Sequence, residues 1–494
     1  MTLGMDLLDP ESLIGTLHQL VYGYGVSFGS HLSKINKCSQ SRPFLTEHRQ
    51  AFTVSSPVLY IPISGISTYF HYFSGEIRTM VQLSVWEKES FFAPADIVIA
   101  GSGLVGLWSA YYLKKKSPSL RITIVERGLI PTGASTRNAG FACFGSLTEL
   151  VANARQMGED KMLELVEMRY KGIKRIRKTF SDAEIDYEKH GGYELFTESS
   201  PSPVPAPAAS PDPALEASPA PAPAASPDPA HPDGLSGADE LRSTIDQFNR
   251  TLKKITGEQK TFRLQNEKIG KFGFAGVQYL IDNQSEGQLH PGKLCQALLR
   301  LVQSMDVTVL NNIEITEFEK VNGHLLLHTQ HSFPLIASQL LVCTNAFARQ
   351  LLPQLDVSPA RGQILVTSPI NGLPFKGTFH FDEGYYYFRN LEDRVLLGGA
   401  RNQAFAAEET MEMTVTDTIQ QELERFLREV ILPGRDYTID HRWSGIMGMG
   451  GVGPERMPIV RAINDHVFCA VRMNGMGVAL APVMGEKVAG LMTT

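Results

Sequence analysis

The segment ADIVIAGSGLVGLWSAYYL, residues 95–113, decides the fold of this chain. Its apolar residues 97–100 are typical of a buried parallel strand. The turn that follows has the pattern GxGxxG, formed by Gly101, Gly103 and Gly106. In such a turn the glycines allow a tight bend, a close approach of backbone to a pyrophosphate, and close packing of the next helix on the strand. The segment therefore predicts a dinucleotide-binding strand, turn and helix.

A second strand, in RITIVERG at residues 121–128, adds an acid at the spacing that a dinucleotide site requires. Glu126 ends this strand 20 positions beyond Gly106. A carboxylate there accepts hydrogen bonds from the adenosine ribose hydroxyls and disfavours a 2′-phosphate. GxGxxG alone is a weak signal. Together with the flanking strand and helix and this acid, it favours dinucleotide binding over a glycine-rich turn beside an ordinary surface acid.

Composition limits the classes of protein to which the chain can belong. Its 494 residues exceed what one hydrophobic core usually serves, and 43% hydrophobic with 20% charged residues is typical of a soluble globular protein, so at least two domains are expected. A net charge of −6 gives no overall positive field for nucleic acid or an anionic membrane. The five cysteines lack a CxxC pair or metal-ligand spacing, which predicts reduced thiols, a cytoplasmic location and no metal site.

Two segments depart from this globular pattern. Residues 1–79 show no sustained helical or strand periodicity, and we expect native translation to start at Met80. Within them, residues 55–75 are apolar but interrupted by proline, histidine and glycine, so no membrane span is predicted. Pro, Ala and Ser dominate residues 199–232, which predicts an extended tether; a ligand for a proline-recognition domain is the alternative.

The loop after the second strand carries a family resemblance. ERGLIPTGASTRNAGF, residues 126–141, resembles the second-strand loop of the D-amino-acid oxidase-like family of FAD-dependent oxidoreductases, which includes glycine oxidase, sarcosine oxidase and amino-acid dehydrogenases. Later segments resemble further parts of the family in the family's order: GQLHPGKLCQALLRLV (287–302), SQLLVCTNAFARQLL (338–352), SPARGQILVTS (358–368), HRWSGIMGMGGVGPERMPIV (441–460) and VRMNGMGVALAPVMGEKVAGLM (471–492). This order is more specific than any single motif.

The resemblance implies an α/β protein with a Rossmann-type FAD-binding domain, built from noncontiguous segments, and a mixed β-sheet substrate domain. The expected FAD-binding segments are residues 93–185 with their following helices, 286–358 and 439–494. The substrate domain is expected in residues 186–285, including the insertion at 199–237, and in residues 359–438, after an N-terminal extension at 1–92.

The residue types in the loop and in the C-terminal segment are also suited to bind a flavin. The ribityl chain and isoalloxazine of FAD extend far beyond one helix N-terminus, so backbone must hold them along their length. Ser135, Thr136 and Asn138 can hydrogen-bond phosphate or ribityl oxygens. Gly475 and Gly477 precede an apolar helix whose amides would stabilise negative charge on a reduced flavin. The full set expected to bind FAD noncovalently is Gly101, Gly103, Gly106, Glu126, Arg127, Ser135, Thr136, Arg137, Asn138, Gly140, Phe141, Ile315, Thr344, Asn345, Gly445, Gly475, Met476, Gly477 and Val478.

A hairpin in DEGYYYFRNLEDRVLLGGARN, residues 382–402, supplies the candidates for the substrate side. Alternation places Tyr385, Tyr387 and Arg389 on one face, and aromatic walls with an arginine suit the pocket of an amine or amino acid. We predict catalytic roles for these three; an aromatic strand packed on the core, with a solvated arginine, is the alternative. Further candidates for binding a carboxylate are Arg361, Arg401 and Arg442, and Arg137 is expected to reach a phosphate, a substrate carboxylate or solvent.

Departures from the family pattern limit what the resemblance implies. Glycine-oxidase-like members place a substrate arginine after the tryptophan-glycine segment, where this chain has Ile446 and Met447. Sarcosine-oxidase-like members use a lysine from the region matching residues 385–401, which contains none, so an ordinary glycine or sarcosine oxidase is not expected. WSGIMGMGGVGPERMP contains no cysteine for a covalent flavin, and Cys143 and Cys469 are expected to be packing residues.

The predicted reaction removes a hydride from a carbon that bears an amine, giving an imine and reduced flavin, with oxygen or another acceptor taking the electrons. The resemblance carries this prediction, and a dedicated base is not required if the amine is unprotonated. One alternative is an FAD-dependent 2-hydroxy-acid dehydrogenase, which needs a base such as His290, His380 or His441. The other is a flavin-binding protein without turnover.

Overall fold

The computed structural model describes residues 82–197, 237–331, 333–451 and 453–493, together with a hairpin formed by Tyr72–Phe73 and Glu76–Ile77. The chain divides into two units, residues 1–79 and 80–494. The hairpin belongs to the first unit, and all elements described below belong to the second. The predicted tether at residues 199–232 lies outside the described residues.

The second unit alternates helices and strands over most of its length. Its α-helices are α1 (Val85–Glu89), α2 (Leu104–Lys116), α3 (Ala134–Arg137), α4 (Leu147–Met157), α5 (Glu159–Thr179), α6 (Asp182–Ile185), α7 (Gly237–Thr256), α8 (Glu267–Phe272), α9 (Pro291–Gln303), α10 (Asp417–Phe426) and α11 (Gly477–Met492). Its strands are β1 (Ala95–Ala100), β2 (Ile122–Glu126), β3 (Phe141–Ala142), β4 (Gly192–Thr197), β5 (Arg263–Leu264), β6 (Val277–Asn283), β7 (Gly287–Gln288), β8 (Val307–Asn311), β9 (Ile315–Val321), β10 (His324–Thr329), β11 (Leu335–Val342), β12 (Ser358–Thr367), β13 (Thr378–Phe381), β14 (Tyr386–Leu391), β15 (Arg394–Gly399), β16 (Ile439–Met449), β17 (Ile459–Ala462) and β18 (Val467–Val471). Short 3₁₀ turns lie at Asn345–Gln350, Arg401–Gln403 and Gly453–Arg456, and a π-helical turn follows α10 at Leu427–Ile431.

The first sheet has the strand order β8-β2-β1-β11-β10-β9, with β18 joined to β11 and β17 to β18. Strands β8, β2, β1, β11 and β18 run parallel to their neighbours in this series, whereas β9, β10 and β17 are antiparallel to their neighbours. Ala100 aligns with both Val125 and Val342, so β1, β2 and β11 end at the same edge. The sheet is assembled from parts of the chain far apart in sequence, as predicted.

The second sheet has the order β16-β12-β15-β14-β13-β4-β6-β5 and is mixed. Its strands are antiparallel to their neighbours except for β13 and β4, which run parallel. Phenylalanines on one face fill a core against α10, with Phe379 and Phe388 stacked at 4.6 Å between ring centroids. Because side chains alternate along a strand, the remaining side chains of β13 and β14 lie on the opposite face, which points toward the first sheet.

Glycines let helix α11 approach α2 and α5 closely. A Cβ on Gly485 would lie 2.7 Å from the backbone carbon of Trp108, and one on Gly172 would lie 1.7 Å from the Ala479 carbonyl oxygen. The Trp108 ring is fully buried in this interface and stacks on Tyr112. Since α11 packs directly on α2, the N-termini of both helices are held beside the same edge of the first sheet. In the described part of the chain, no helix combines the length and hydropathy needed to cross a membrane.

Candidate active site

A cavity of about 420 Å³ begins at the shared edge of β1, β2 and β11 and reaches the second sheet. Gly101, Glu126 and Thr344 line it on the side of the first sheet, and Tyr387 and Arg401 line it on the side of the second. Ligands of open α/β sheets bind in this position, outside the carboxyl ends of parallel strands. The cavity therefore joins the predicted dinucleotide turn to the predicted substrate residues.

The glycine turn between β1 and α2 leaves no room for side chains. Gly101 has a φ of +103°, and a Cβ there would lie 3.0 Å from the Cys343 carbonyl oxygen. A Cβ on Gly106 would lie 2.0 Å from the Gly101 carbonyl oxygen, so Gly106 sits behind the cavity and fixes the packing of α2 on β1. Gly103 caps α2 without a side chain, and the Ser135 hydroxyl accepts a hydrogen bond from the Leu104 amide at 2.9 Å. The N-terminus of α2 thus faces the cavity.

The Glu126 carboxylate is held in a defined orientation where β2 ends. One of its oxygens accepts from the Ser102 amide at 3.1 Å and the Ser102 hydroxyl at 2.9 Å, and the other accepts from the Gly128 amide at 3.0 Å. The neighbouring Arg127 guanidinium lies 3.8 Å from the ring centroid of Phe347. Both Glu126 and Arg127 line the cavity, and so does Ile315.

The loop of residues 131–141 uses several of its polar side chains to hold its own shape. The Thr136 hydroxyl donates to the Pro131 carbonyl oxygen, and the Asn138 amide donates to the Ala134 and Ser135 carbonyl oxygens at 3.0 and 2.8 Å. Thr136 and Gly140 do not line the cavity, whereas Ser135, Arg137, Asn138 and Phe141 do. A Cβ on Gly140 would lie 2.2 Å from the Leu289 carbonyl oxygen, so this glycine allows the loop to pass close to the start of α9.

A second helix N-terminus faces the cavity from α11. Gly475, Met476, Gly477 and Val478 all line it, and no side chain caps the first turn of the helix. The first amides of a helix have no partner within the helix, so they are available to a ligand. Thr344, Asn345 and Gly445 complete the cofactor-side residues predicted from sequence that line the cavity.

The hairpin of β14 and β15 brings two of its three predicted residues to the cavity. Tyr385 and Tyr387 line it, and a Cβ on Gly398 would lie 2.5 Å from the Tyr387 ring, so the ring lies over this glycine. Burial raises the pKa of Tyr387 to about 12, which keeps its hydroxyl protonated at neutral pH. Arg389 shares a face with Tyr387 but does not line the cavity. It is buried, its pKa is lowered to about 10 by that burial, and Glu188 opposes the shift.

The three further arginine candidates have different environments. Arg361 forms a buried bidentate pair with Glu408 at 2.9 and 2.8 Å, and Arg442 pairs with Glu424 at 2.7 Å. Neither lines the cavity. Arg401 does, and within the described residues it makes no ion pair. Its guanidinium lies 4.8 Å from the ring centroid of Phe405, and burial lowers its pKa despite favourable interactions with Tyr385.

The three candidate histidines also lie in different environments. His290 accepts the Lys293 amide and caps α9, and His441 is exposed on β16. His380 lines the cavity from β13, its ring 5.2 Å from that of Phe141. Its pKa is lowered to about 4 by burial, so it is neutral at physiological pH.

Several cavity residues were missed by sequence reasoning. Glu383 and Arg456 line the substrate side, and on helices α4 and α5 the Glu149 carboxylate pairs with the buried Arg169 guanidinium at 2.7 Å. Burial raises the pKa of Glu383, and Arg456 is among the groups that oppose this. Glu383 and Arg456 lie in segments that the sequence analysis singled out for other residues, and only the tertiary fold brings these four residues to one cavity.

Comparison with known proteins identifies the family. The model of the DAO family, described as FAD dependent oxidoreductase, matches residues 96–491. The chain belongs to this family. The predicted family is thus confirmed, and FAD is its cofactor.

Similar proteins agree with the DAO assignment. The chain is 26% identical over 408 residues to a probable oxidoreductase, OrdL, of Rhizobium meliloti (strain 1021), which covers 80% of this chain and 82% of the relative. Two solved structures have the same fold at 17% identity and a TM-score of 0.59: L-proline dehydrogenase from P. horikoshii and glycine oxidase from Geobacillus kaustophilus. Each covers 81% of this chain, with 93% and 94% of their own chains covered. The predicted α/β fold with a Rossmann-type domain is confirmed.

The cavity of this DAO-family chain fits FAD. The glycine turn is a cradle that added Cβ atoms would fill, and Glu126 presents oriented carboxylate oxygens for ribose hydroxyls. The N-termini of α2 and α11 both face the cavity, and no side chain caps the start of α11. Of the described cysteines, Cys143 and Cys343 line the cavity, and Cys469 is buried in the core of the first sheet. Burial raises the pKa of all three thiols, and that of Cys143 well above its usual range.

Proposed function

We propose that this FAD-dependent oxidoreductase removes a hydride from the carbon of a C–N bond in an amine or amino acid that carries a carboxylate, giving an imine. One observation carries the proposal: Arg401, with no ion-pair partner in the described chain, shares a single cavity with the glycine turn. A guanidinium in that position is suited to bind a carboxylate through two parallel hydrogen bonds. The names of two proteins with this fold, a proline dehydrogenase and a glycine oxidase, support an amino-acid or amine substrate.

Bound FAD would supply the hydride acceptor, and the chain supplies its binding site and the orientation of the substrate. Gly101, Gly103 and the α2 amides would hold the pyrophosphate, and Glu126 would hold the ribose. The amides at the start of α11 would stabilise negative charge at the other end of the cofactor. We propose noncovalent attachment, which the suppressed ionisation of the buried Cys143 thiol supports.

Tyr385, Tyr387 and Arg401 form the proposed substrate site. Arg401 would bind the carboxylate, Tyr387 would donate its hydroxyl or pack against the substrate, and Tyr385 would form a wall. Positioning of the C–H bond can contribute a large part of the rate enhancement in such a reaction. We do not place Arg389 in this site, because it does not line the cavity.

Anaerobic reduction of the purified yellow holoprotein tests the proposal. Glycine, sarcosine, L-proline, iminodiacetate, putrescine and L-lactate would each be mixed with it while the flavin absorbance is followed. We expect bleaching by at least one amine that carries a carboxylate, and bleaching by L-lactate alone would overturn the proposal. Arg401→Gln should raise the concentration needed for half-maximal bleaching about 100-fold, whereas Arg442→Gln, outside the cavity, should not.

Two further measurements address the cofactor and the electron acceptor. Precipitation with acid should release all yellow colour into the supernatant, and colour retained in the protein pellet would contradict noncovalent binding. Peroxide release after reduction would assign oxygen as the acceptor, and its absence would assign another acceptor.

A second candidate function is the oxidation of a 2-hydroxy acid. His380 favours it, because a neutral imidazole that lines the cavity can accept the hydroxyl proton of such a substrate. The bleaching panel distinguishes the two functions, since L-lactate has no C–N bond.

A further inference from the structure

His380 has an environment that substrate binding alone does not explain. The side chain is 6% exposed, and neither ring nitrogen has a hydrogen-bond partner among the described residues. A buried polar group without a partner costs on the order of 1–3 kcal/mol, so this arrangement calls for a ligand or a proton-transfer role. His380 lines the main cavity on one side and a small internal cavity of about 10 Å³ on the other.

The small internal cavity has both polar and apolar residues in its lining. Glu194, Glu286 and Asn283 border it together with His380, and the Asn283 amide nitrogen also lacks a partner within the described chain. Its volume is near the lower limit for a single water molecule, and the His380 ring and the Asn283 amide are the groups beside it that lack a hydrogen-bond partner in the described chain. The cavity can therefore connect the imidazole to the carboxylates of Glu194 and Glu286.

Strand register places a polar row across the sheet at this point. His380 on β13 aligns with Glu194 on β4 and with Tyr387 on β14, so the three side chains share one face. Neighbouring strands lie about 4.8 Å apart, which sets the spacing of the row. The row runs from the proposed substrate site at Tyr387 to the buried Glu194 carboxylate, which accepts hydrogen bonds from the Thr148 hydroxyl and amide.

We propose that His380 takes a proton from the substrate nitrogen and passes a proton to Glu194, so that the row is a proton relay for the reaction proposed above. An N–H bond of the substrate ammonium breaks, and an N–H bond forms at one imidazole nitrogen. The proton on the opposite nitrogen passes to a Glu194 oxygen through a water in the small cavity. The substrate loses one positive charge, Glu194 loses one negative charge, and His380 ends neutral with its tautomer exchanged. The free amine that results is the form from which a hydride can be removed.

Burial and the charged groups around the row set the protonation states of His380 and Glu194. Glu149 raises and Arg169 lowers the pKa of His380, but burial is the larger effect. Burial raises the pKa of Glu194 to about 7, against hydrogen bonds from Thr148 that lower it, so this carboxylate exchanges a proton near neutral pH. Two further acids border the small cavity. Burial raises the pKa of Glu286 to about 8, and Asp282 pairs with Arg263 and Lys268. His380 would touch the substrate as a catalytic residue, and Glu194 is a positioning residue that acts through it.

Nuclear magnetic resonance of holoprotein labelled with ¹⁵N-histidine tests the relay without any substrate. Signals of His380 would be assigned by their loss in His380→Gln. We expect a neutral imidazole from pH 5 to 9, with a tautomer ratio that changes as pH crosses about 7 in wild type but not in Glu194→Gln. A His380 signal that titrates as imidazolium near its usual pKa, or one that Glu194→Gln leaves unchanged, would overturn the relay.

Flavin reduction by the most effective amine of the panel tests the catalytic end. His380→Gln should slow reduction about 100-fold, in the range of general-base catalysis, whereas His441→Gln on the exposed part of β16 should not. Glu194→Gln should remove an inflection near pH 7 from the rate profile while leaving flavin binding intact. Equal rates for the two histidine variants would overturn the role of His380. Failure of every amine to reduce wild type would overturn the proposed function instead, and the substrate end of the relay with it.

Discussion

The Trp443 indole nitrogen donates a hydrogen bond to the Arg137 carbonyl oxygen at 3.0 Å, and the Arg137 guanidinium donates to the carbonyl oxygen of the next residue, Ser444, at 2.9 Å. Arg137 also donates to the Thr132 carbonyl oxygen at 3.1 Å. These bonds join the loop of residues 131–141 to strand β16 of the second sheet. Arg137 therefore shapes the wall of the cavity through backbone contacts, and it is not a solvated arginine.

Arg137→Ala should weaken FAD binding without abolishing folding. Two charge-assisted hydrogen bonds are lost, each worth on the order of 1.5–3 kcal/mol in a buried setting, and partial exposure reduces this. We expect the FAD dissociation constant to rise about 10-fold or more, measured by fluorescence on titration of apoprotein with FAD. Arg394→Ala, which removes a half-exposed ion pair with Asp440 on the second sheet, is the control and should leave the constant unchanged. Equal FAD affinity in wild type and Arg137→Ala would contradict the wall role.

Gly106→Ala should prevent FAD uptake by a packing effect. The added methyl group would lie 2.0 Å from the Gly101 carbonyl oxygen, and that atom belongs to the rigid glycine turn. Helix α2 must therefore move away from β1, which displaces the amides at its N-terminus. We expect colourless purified protein and a lower melting temperature. Gly270→Ala, on the open surface of α8, is the matched control and should purify yellow.

The buried pair of Arg361 and Glu408 should be important for stability and not for substrate choice. Arg361→Ala leaves a carboxylate at 1% exposure whose remaining polar partners among the described residues are Gln363 and Thr416, and breaking such a pair costs about 3–5 kcal/mol. The double variant Arg361→Met with Glu408→Leu should regain most of the lost free energy of unfolding, measured by chemical denaturation. A changed ranking of donors in the bleaching panel at unchanged stability would show that Arg361 acts on the substrate after all.

Local sequence pattern was sufficient for the first two strands of the first sheet and for the turn between β1 and α2. GxGxxG, the strand before it and Glu126 all depend on residues close together in sequence, and β1, α2 and β2 lie where these patterns indicate. The alternation in the hairpin was also correct, because Tyr387 and Arg389 do share a face. Alternation does not say how far along a strand the cavity extends, however, and Arg389 lies beyond its end.

The residues of the substrate site could not be predicted from local sequence pattern. Local sequence does not distinguish Arg361, Arg401 and Arg442. In the structure, glutamates from other segments pair with Arg361 and Arg442, whereas Arg401 lines the cavity. The row of Glu194, His380 and Tyr387 joins three strands, and one of these pairings is parallel and spans almost 190 positions. Register between distant strands depends on tertiary packing, so no local sequence pattern predicts it.

Glu286 should make the protein less stable as pH rises toward 8. Its carboxylate is 2% exposed, and burial raises its pKa to about 8 despite hydrogen bonds from the Phe144 and Gly145 amides. The ordinary pKa of about 4.5 applies to the unfolded chain, so the folded state binds more protons between these two values. Stability from this group is therefore fully present below about pH 4.5, falls as pH rises, and is lost above about pH 8.

Glu286→Gln should remove this dependence, since the amide retains the carbonyl acceptor and cannot ionise. Urea denaturation of holoprotein at intervals from pH 5 to 9 would measure the free energy of unfolding of both proteins. As pH rises to about 8, we expect the free energy of unfolding of the variant to increase by a few kcal/mol relative to that of wild type. Above about pH 8, the difference between the two proteins should be constant. Glu317→Gln, on the exposed face of β9, should follow wild type throughout. Because both proteins retain His380 and Glu194, parallel curves for Glu286→Gln and wild type would mean that Glu286 is ionised in the folded protein well below pH 8, and the small cavity would then hold a carboxylate charge at neutral pH.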